Sequence, residues 1–108
     1  MIAAIHAEGV IDDELSRAVV AYIRGAGLAW PHRSLEAVAE AMGADAAERL
    51  RQCLNGLAEE SVYWPVDWDG HDLRSAMEVV RRGLTDAHPE LSAEAVDALV
   101  WDFSYAHW

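Results

Sequence analysis

Residues 88–108, HPELSAEAVDALVWDFSYAHW, contain the most informative helix signal in the chain. The pair His88-Pro89 predicts the end of one helix, because proline disfavours helical geometry in the residue before it. Ser92 is a favourable N-cap for a new helix. Within that helix one apolar series recurs at the spacing of a single helical face, which predicts a stripe that contacts the core: Val96, Leu99, Val100 and Phe103.

The same helix carries a second apolar series on nearly the opposite side, formed by Trp101, Tyr105 and Trp108. A terminal helix of a small domain usually buries only one face. Two interpretations follow for the second stripe. It packs under the N-terminal segment, residues 2–11, or it forms a surface for a homodimer or another partner, where Trp and Tyr often anchor binding.

Caps and apolar periodicity predict four further helices upstream. Asp12 or Asp13 begins the first, Ser34 begins a short one that Gly43 closes, a third contains residues 50–57, and a fourth spans about residues 72–87. The 108 residues are therefore predicted to form a single all-α domain, 1–108, a compact bundle of about five helices. Strand is limited at most to a small β-hairpin near residues 62–72, and residues 2–8 fit either a short helix or a strand.

The charge of the chain is strongly negative. Nineteen acidic residues and eight arginines, with no lysine, give a formal net charge of −11. This charge favours solubility, or it attracts a basic protein partner; it argues against nucleic acid and anionic membranes as partners. A single cysteine, no apolar run of the roughly 20 residues that span a bilayer, and no secretory signal predict a cytoplasmic protein without a membrane span.

The segment between the third and fourth helices concentrates aromatic and acidic residues. Trp64, Asp67, Trp68, Asp69 and Asp72 lie within nine positions of one another. Aromatic rings beside carboxylates suit a surface that receives Arg or Lys side chains. The alternative interpretation is that the tryptophans cover the core while the aspartates are solvated.

Residues 34–64 resemble the helix-turn-helix core of winged-helix proteins: a short helix, a glycine turn, a longer helix and an aromatic-rich segment, Val62-Tyr63-Trp64. The resemblance rests on generic helix and turn positions. It implies a dimeric DNA-binding regulator whose second helix contacts the major groove through Arg49, Arg51 and Gln52. Residues 35–61 hold six acids against two arginines, however, and phosphate would be repelled by that balance.

Signals for catalysis and for metal binding are absent from the sequence. The serines lack a nucleophile-elbow context, and the histidines are scattered without a metal-ligand spacing. Cys53 shares an apolar stripe with Leu50, Leu54 and Leu57, which predicts a buried and unreactive thiol. We therefore expect no catalytic residue, no metal and no cofactor. The predicted function is a small acidic protein-binding module, an immunity protein or inhibitor that neutralises a basic partner such as a toxin.

Overall fold

A computed structural model describes residues 11–107, which form five helices and no strand. Residues 2–8 and Trp108 lie outside the described residues, and so does all but Ile11 of the segment 2–11 that was predicted to cover the second stripe of the last helix. The helices are α1 (Asp13–Arg24), α2 (Leu35–Met42), α3 (Ala44–Val62), α4 (Leu73–Ala87) and α5 (Ala93–Ala106). The predicted all-α fold with five helices is confirmed.

Side-chain caps explain where four of these helices begin. Asp12, Ser34, Asp72 and Ser92 each accept a hydrogen bond from the backbone N–H three residues further along the chain. Such caps satisfy N–H groups that have no partner within the first turn of a helix. The start of α3 differs, because it follows Gly43 directly and has no side-chain cap. Gly43 has φ = 100°, a conformation that side-chain-bearing residues rarely adopt.

The last helix, α5, is central and packs against α1, α3 and α4. The residues of the first predicted stripe, Val96, Leu99, Val100 and Phe103, are all buried, with Phe103 completely enclosed. The smaller helix α2 packs against α1 and α3 instead. The core therefore forms around α5, in agreement with the apolar periodicity of that helix.

Helices α1 and α5 lie side by side and run in the same direction. At their N-terminal ends, the Asp12 N–H donates to the Glu90 carbonyl at 2.7 Å, and the Ser92 N–H donates to Ser16 Oγ at 2.9 Å. At their C-terminal ends, the Arg24 guanidinium lies 4.4 Å from the centre of a Trp101 ring. The other described helices, α2, α3 and α4, lie between α1 and α5 in the sequence.

Two sequence predictions are wrong. Residues 62–72 form no β-hairpin: they are the end of α3, an extended segment and a turn. The two tryptophans of this segment pack on helices instead, Trp64 on α4 at Gly83 and Trp68 on Phe103 of α5. Cys53 is exposed instead of buried, and Leu50 is only half-buried. The buried side of α3 is centred on Leu54, Leu57 and Ala58, which leaves Cys53 at its edge.

Candidate protein-binding face

The C-terminal turns of α5 hold two loops in place. The Tyr105 hydroxyl donates to the Ala29 carbonyl at 3.2 Å, which ties the loop between α1 and α2 to α5. On the other side, His107 Nε2 donates to the Val62 carbonyl at 2.7 Å and fixes the start of the connection between α3 and α4. Both loops therefore meet at the end of the same helix.

Five large hydrophobic side chains are exposed in these two loops and at this end of α5, and we call them together the aromatic face. Tyr105 and His107 are about 200° apart around the helix, so the two loops flank α5 from opposite sides. Within residues 11–107, six large hydrophobic side chains are exposed, and only Ile11 lies elsewhere. The exposed fractions are 41% for Leu28, 53% for Trp30, 74% for Tyr63, 44% for Trp68 and 48% for Tyr105. Single exposed apolar residues are ordinary on protein surfaces, but several of them in two loops joined to one helix end make this region a candidate interaction site.

The Trp68 side chain covers part of the core and is also part of the aromatic face. Its ring is nearly parallel to that of Phe103, with centroids 6.1 Å apart and an interplanar angle of 6°, and it lies 5.4 Å from the His107 ring. Phe103 is fully buried, so one side of the indole covers the core. The two interpretations of this tryptophan are therefore compatible.

The three aspartates near Trp68 differ in the hydrogen bonds that they accept. Asp67 shapes the turn, since its Oδ1 accepts from the Asp69 N–H at 3.1 Å and its carbonyl accepts from the Gly70 N–H at 3.1 Å. Asp72 caps α4, and hydrogen bonds from Ser75 lower the pKa of its carboxyl group. Its role as the N-cap of α4 is enough to explain why an aspartate stands at position 72. Asp67 and Asp69 remain exposed on either side of Trp68.

Trp101 and Tyr105 form the described part of the second stripe on α5. Their rings meet edge to face, with centroids 5.7 Å apart. Trp101 is half-buried beneath Arg24, in cation–π geometry. Trp101 is thus largely part of the packing between α1 and α5, whereas Tyr105 belongs to the aromatic face.

Trp64 lies apart from the aromatic face. It packs against the core and against α4 at Gly83, where any Cβ would overlap the six-membered ring of the indole. Only a residue without a side chain leaves room for the indole here. The structure therefore separates Trp64 from Trp68, although the two are only four positions apart in the chain.

An ion-pair network involving Arg33 connects the loops and helices that surround the face. The Arg33 guanidinium contacts Glu59 on α3 at 3.0 Å and Asp102 on α5 at 3.3 Å. Burial raises the pKa of Asp102, and the charge of Arg33 opposes that rise. Burial also acts to lower the pKa of Arg33, but the two carboxylates outweigh it and raise the pKa.

The residues predicted for DNA contact lie on α3, and both arginines are paired with carboxylates. Arg49 forms two hydrogen bonds with Glu14 on α1, at 3.1 and 2.6 Å, and this contact lowers the pKa of Glu14. Arg51 pairs with Glu48 at 3.3 Å, and Gln52 is exposed. A phosphate contact would have to compete with these carboxylates.

Residues 11–107 offer neither a metal centre nor a membrane span. No group of three or more His, Cys, Asp or Glu side chains there is placed to hold a metal ion. In the same range, no helix combines the length and the apolar character needed to cross a membrane.

Comparison with known proteins adds no relative. No family model matches the chain, and no curated protein and no solved structure is significantly similar to it.

Leu28, Trp30 and Tyr63 belong to the aromatic face but were not predicted as site residues. Each stands in or next to a loop, where apolar periodicity says nothing about burial. The available signal was the position of Trp30 before Pro31, since a large aromatic residue in an extended segment has few local neighbours to cover it.

Proposed function

We propose that this protein is a small acidic, non-catalytic binding module that neutralises a basic protein partner. In its most concrete form it is an immunity protein or inhibitor of a basic toxin. The observation that carries the proposal is the part of the aromatic face at Trp68, whose neighbours in the chain, Asp67 and Asp69, are exposed together with its indole. Exposed Trp and Tyr side chains are the commonest energetic anchors of protein interfaces.

The charge of the surface supports a basic partner. Four of the eight arginines are in ion pairs with carboxylates within the protein: Arg33, Arg49, Arg51 and Arg81. Most of the acidic side chains in residues 11–107 have no arginine partner. The resulting field attracts cationic proteins and accelerates their encounter with the face, an effect that salt weakens.

Inhibition follows from the same two features. The binding site of a basic enzyme that acts on a polyanion is lined with Arg and Lys. Asp67 and Asp69 would pair with those side chains in place of substrate phosphates, while Trp68 and Tyr63 would exclude water from the contact. Such a module needs no chemistry of its own and acts in the compartment where its partner is harmful, for which we propose the cytoplasm.

A homodimer through the end of α5 is the competing use of the same face. Two copies would bring Asp67 and Asp69 of each chain towards each other, and like charges at an interface oppose association. The charge therefore favours a basic partner over a second copy. Sedimentation equilibrium tests this choice directly, and we expect the mass of a monomer.

The DNA-binding alternative, in which Arg49, Arg51 and Gln52 contact the major groove, has less support. Glu14 and Glu48 already neutralise both arginines. An electrophoretic mobility-shift assay with random duplex DNA at low salt tests it. Binding that Arg49→Gln weakens would favour a regulator over an inhibitor.

The main test is affinity capture from a lysate of the source organism, with and without nuclease treatment, using three baits. These are the wild type, the face variant Asp67→Asn/Asp69→Asn, and the control variant Glu36→Gln/Glu40→Gln on α2. Both variants change the net charge by the same amount, and asparagine can still accept the turn hydrogen bond at position 67.

We expect a basic protein to be captured by the wild type and the control, lost from the face variant, and released by salt. The purified pair should also associate more slowly as ionic strength rises. An acidic partner, loss of capture after nuclease treatment, or equal capture by all three baits would contradict the proposal.

A further inference from the structure

A second concave surface lies along α4 and is independent of the aromatic face. It is a groove of about 560 Å³, a volume within the range of small-molecule sites. Residues from α4 form its floor, and the segment before α4 provides one wall and one end. The residues that define it are Trp64, His71, Ser75, Arg82, Gly83 and Asp86.

The wall of the groove is the indole of Trp64. Because Gly83 has no side chain, the indole approaches the backbone of α4 closely and is held in one place. Trp64 remains partly exposed, so the groove offers a flat aromatic surface. At one end, His71 Nδ1 lies 3.0 Å from Ser75 Oγ, which fixes the imidazole beside the helix.

The floor of the groove presents one positive and one negative charge that are not neutralised. Arg82 and Asp86 are four residues apart on α4, so they lie on the same side of the helix, about 6 Å apart along its axis. Neither forms an ion pair with any residue in the range 11–107. Arginine preceding an acid at this spacing is the less favourable order for a pair on a helix, which agrees with their separation.

The remaining acid in the groove, Glu78, is already engaged. Its carboxylate accepts a hydrogen bond from Arg81 Nε at 3.2 Å, and Arg81 also pairs with Asp97 on α5. The groove is therefore not a uniformly acidic surface. The groups it offers to a ligand are an exposed guanidinium, an exposed carboxylate and an aromatic plane.

We propose that this groove binds a small zwitterion with a flat apolar side chain, the chemistry of an aromatic α-amino acid. The ligand carboxylate pairs with Arg82, its ammonium group pairs with Asp86, and its ring lies against Trp64. A ligand with only a negative charge would be repelled by Asp86, and one with only a positive charge would be repelled by Arg82. A ligand that carries both charges is therefore favoured over either.

The test compares three probes with the same phenylethyl skeleton: phenylalanine, hydrocinnamate, which lacks the ammonium group, and phenethylamine, which lacks the carboxylate. Binding is followed through the NMR shifts of the Trp64 indole N–H and the α4 amides. We expect phenylalanine to bind at least about tenfold more tightly than either analogue, since each lost charged hydrogen bond weakens binding by about that factor.

Variants then assign the charges. Arg82→Gln should weaken phenylalanine binding about tenfold and leave phenethylamine binding no weaker. Asp86→Asn should also weaken phenylalanine binding about tenfold and leave hydrocinnamate binding no weaker. Arg74→Gln, an exposed arginine on the same helix outside the groove, should change neither. The proposal is overturned if no probe moves these resonances, if phenethylamine binds as tightly as phenylalanine, or if Arg74→Gln acts like Arg82→Gln.

Discussion

Arg33 and Asp102, 69 residues apart in the chain, are joined by a hydrogen bond of 3.3 Å from Nε to Oδ2. The carboxylate is largely buried, with 14% of the Asp102 side chain exposed, whereas Arg33 also reaches the more exposed Glu59. One guanidinium thus holds the α1–α2 loop against α3 and α5. The α1–α2 loop, which carries Leu28 and Trp30, is positioned in part by this contact.

Arg33→Ala should lower the free energy of unfolding by about 1–2 kcal/mol, because it leaves the buried Asp102 carboxylate without its partner. Partial exposure of Arg33 keeps the loss below that of a fully buried pair. Arg51→Ala, which breaks only the exposed pair with Glu48, should cost less than about 0.5 kcal/mol. Urea denaturation measures both, and equal losses would contradict the role assigned to Arg33.

The cost of Arg33→Ala should also depend on pH. Burial raises the pKa of Asp102, and removal of Arg33 raises it further. When the folded-state pKa of a carboxyl group exceeds its unfolded value, the folded protein binds the proton more tightly than the unfolded chain does. Protonation therefore stabilises the fold in full below the unfolded pKa, and this stabilisation is lost as the pH rises through the folded-state pKa. The difference between variant and wild type should therefore be largest at neutral pH and shrink towards about pH 4. If the difference in unfolding free energy between variant and wild type grew as the pH fell, this prediction would be contradicted.

Two glycines in helices should respond oppositely to alanine. At Gly83 the new Cβ would meet the Trp64 indole, and overpacking should cost about 1–3 kcal/mol despite the better helix propensity of alanine. At Gly56 on α3 nothing lies within 4 Å of such a Cβ, so the change should stabilise by up to about 1 kcal/mol. Thermal unfolding distinguishes the two, and a stabilising Gly83→Ala would mean that Trp64 does not sit as described.

The three buried serines offer a similar comparison. Ser16 Oγ accepts from the Ser92 N–H and so links α1 to α5, whereas Ser61 and Ser104 donate to carbonyls three residues earlier in their own helices. Ser16→Ala should cost about 1–2 kcal/mol, because the Ser92 N–H loses its partner. Ser61→Ala and Ser104→Ala should cost less than half as much. Chemical denaturation measures the loss of unfolding free energy in each variant, and a loss at Ser61 or Ser104 as large as that at Ser16 would contradict the prediction.

Cys53 should react with alkylating reagents in the folded protein, because its side chain is exposed. Partial burial, and then the charges of Glu90 and Asp12, raise the pKa of the thiol. The pH at which alkylation by iodoacetamide reaches half its maximal rate should therefore be higher in the folded than in the denatured protein. Glu90→Gln should lower that pH. Protection of the thiol until unfolding would instead support a buried residue, as its apolar stripe predicts.

Local sequence signals are sufficient for the helices but not for the surface. The caps at Ser34 and Ser92 and the buried stripe through Phe103 depend on neighbours within one or two turns, so the sequence predicts them. The exposure of Cys53 depends on which helices cover α3, and that information lies far away in the chain. The hairpin prediction fails for the same reason, since Trp68 stacks on a ring 35 positions later in the sequence.

The assembly of the aromatic face is equally hidden from the sequence. Trp30 and Tyr63 belong to different loops, and contacts distant in sequence, among them the hydrogen bonds of Tyr105 and His107, bring those loops to one end of α5. The acidic charge around Trp68 is visible as a pattern, whereas the separation of Trp64 from Trp68 requires the close contact at Gly83.

The parallel packing of α1 and α5 constrains the order in which the protein can fold. Contacts between the first and last described helices span almost the whole length of the described chain, and α5 also contacts α3 and α4. A nascent chain on the ribosome would therefore hold α1 to α4 without the helix that buries them until residue 103 emerges. Folding of these helices should therefore be all-or-none and should begin only once α5 is available to pack against them.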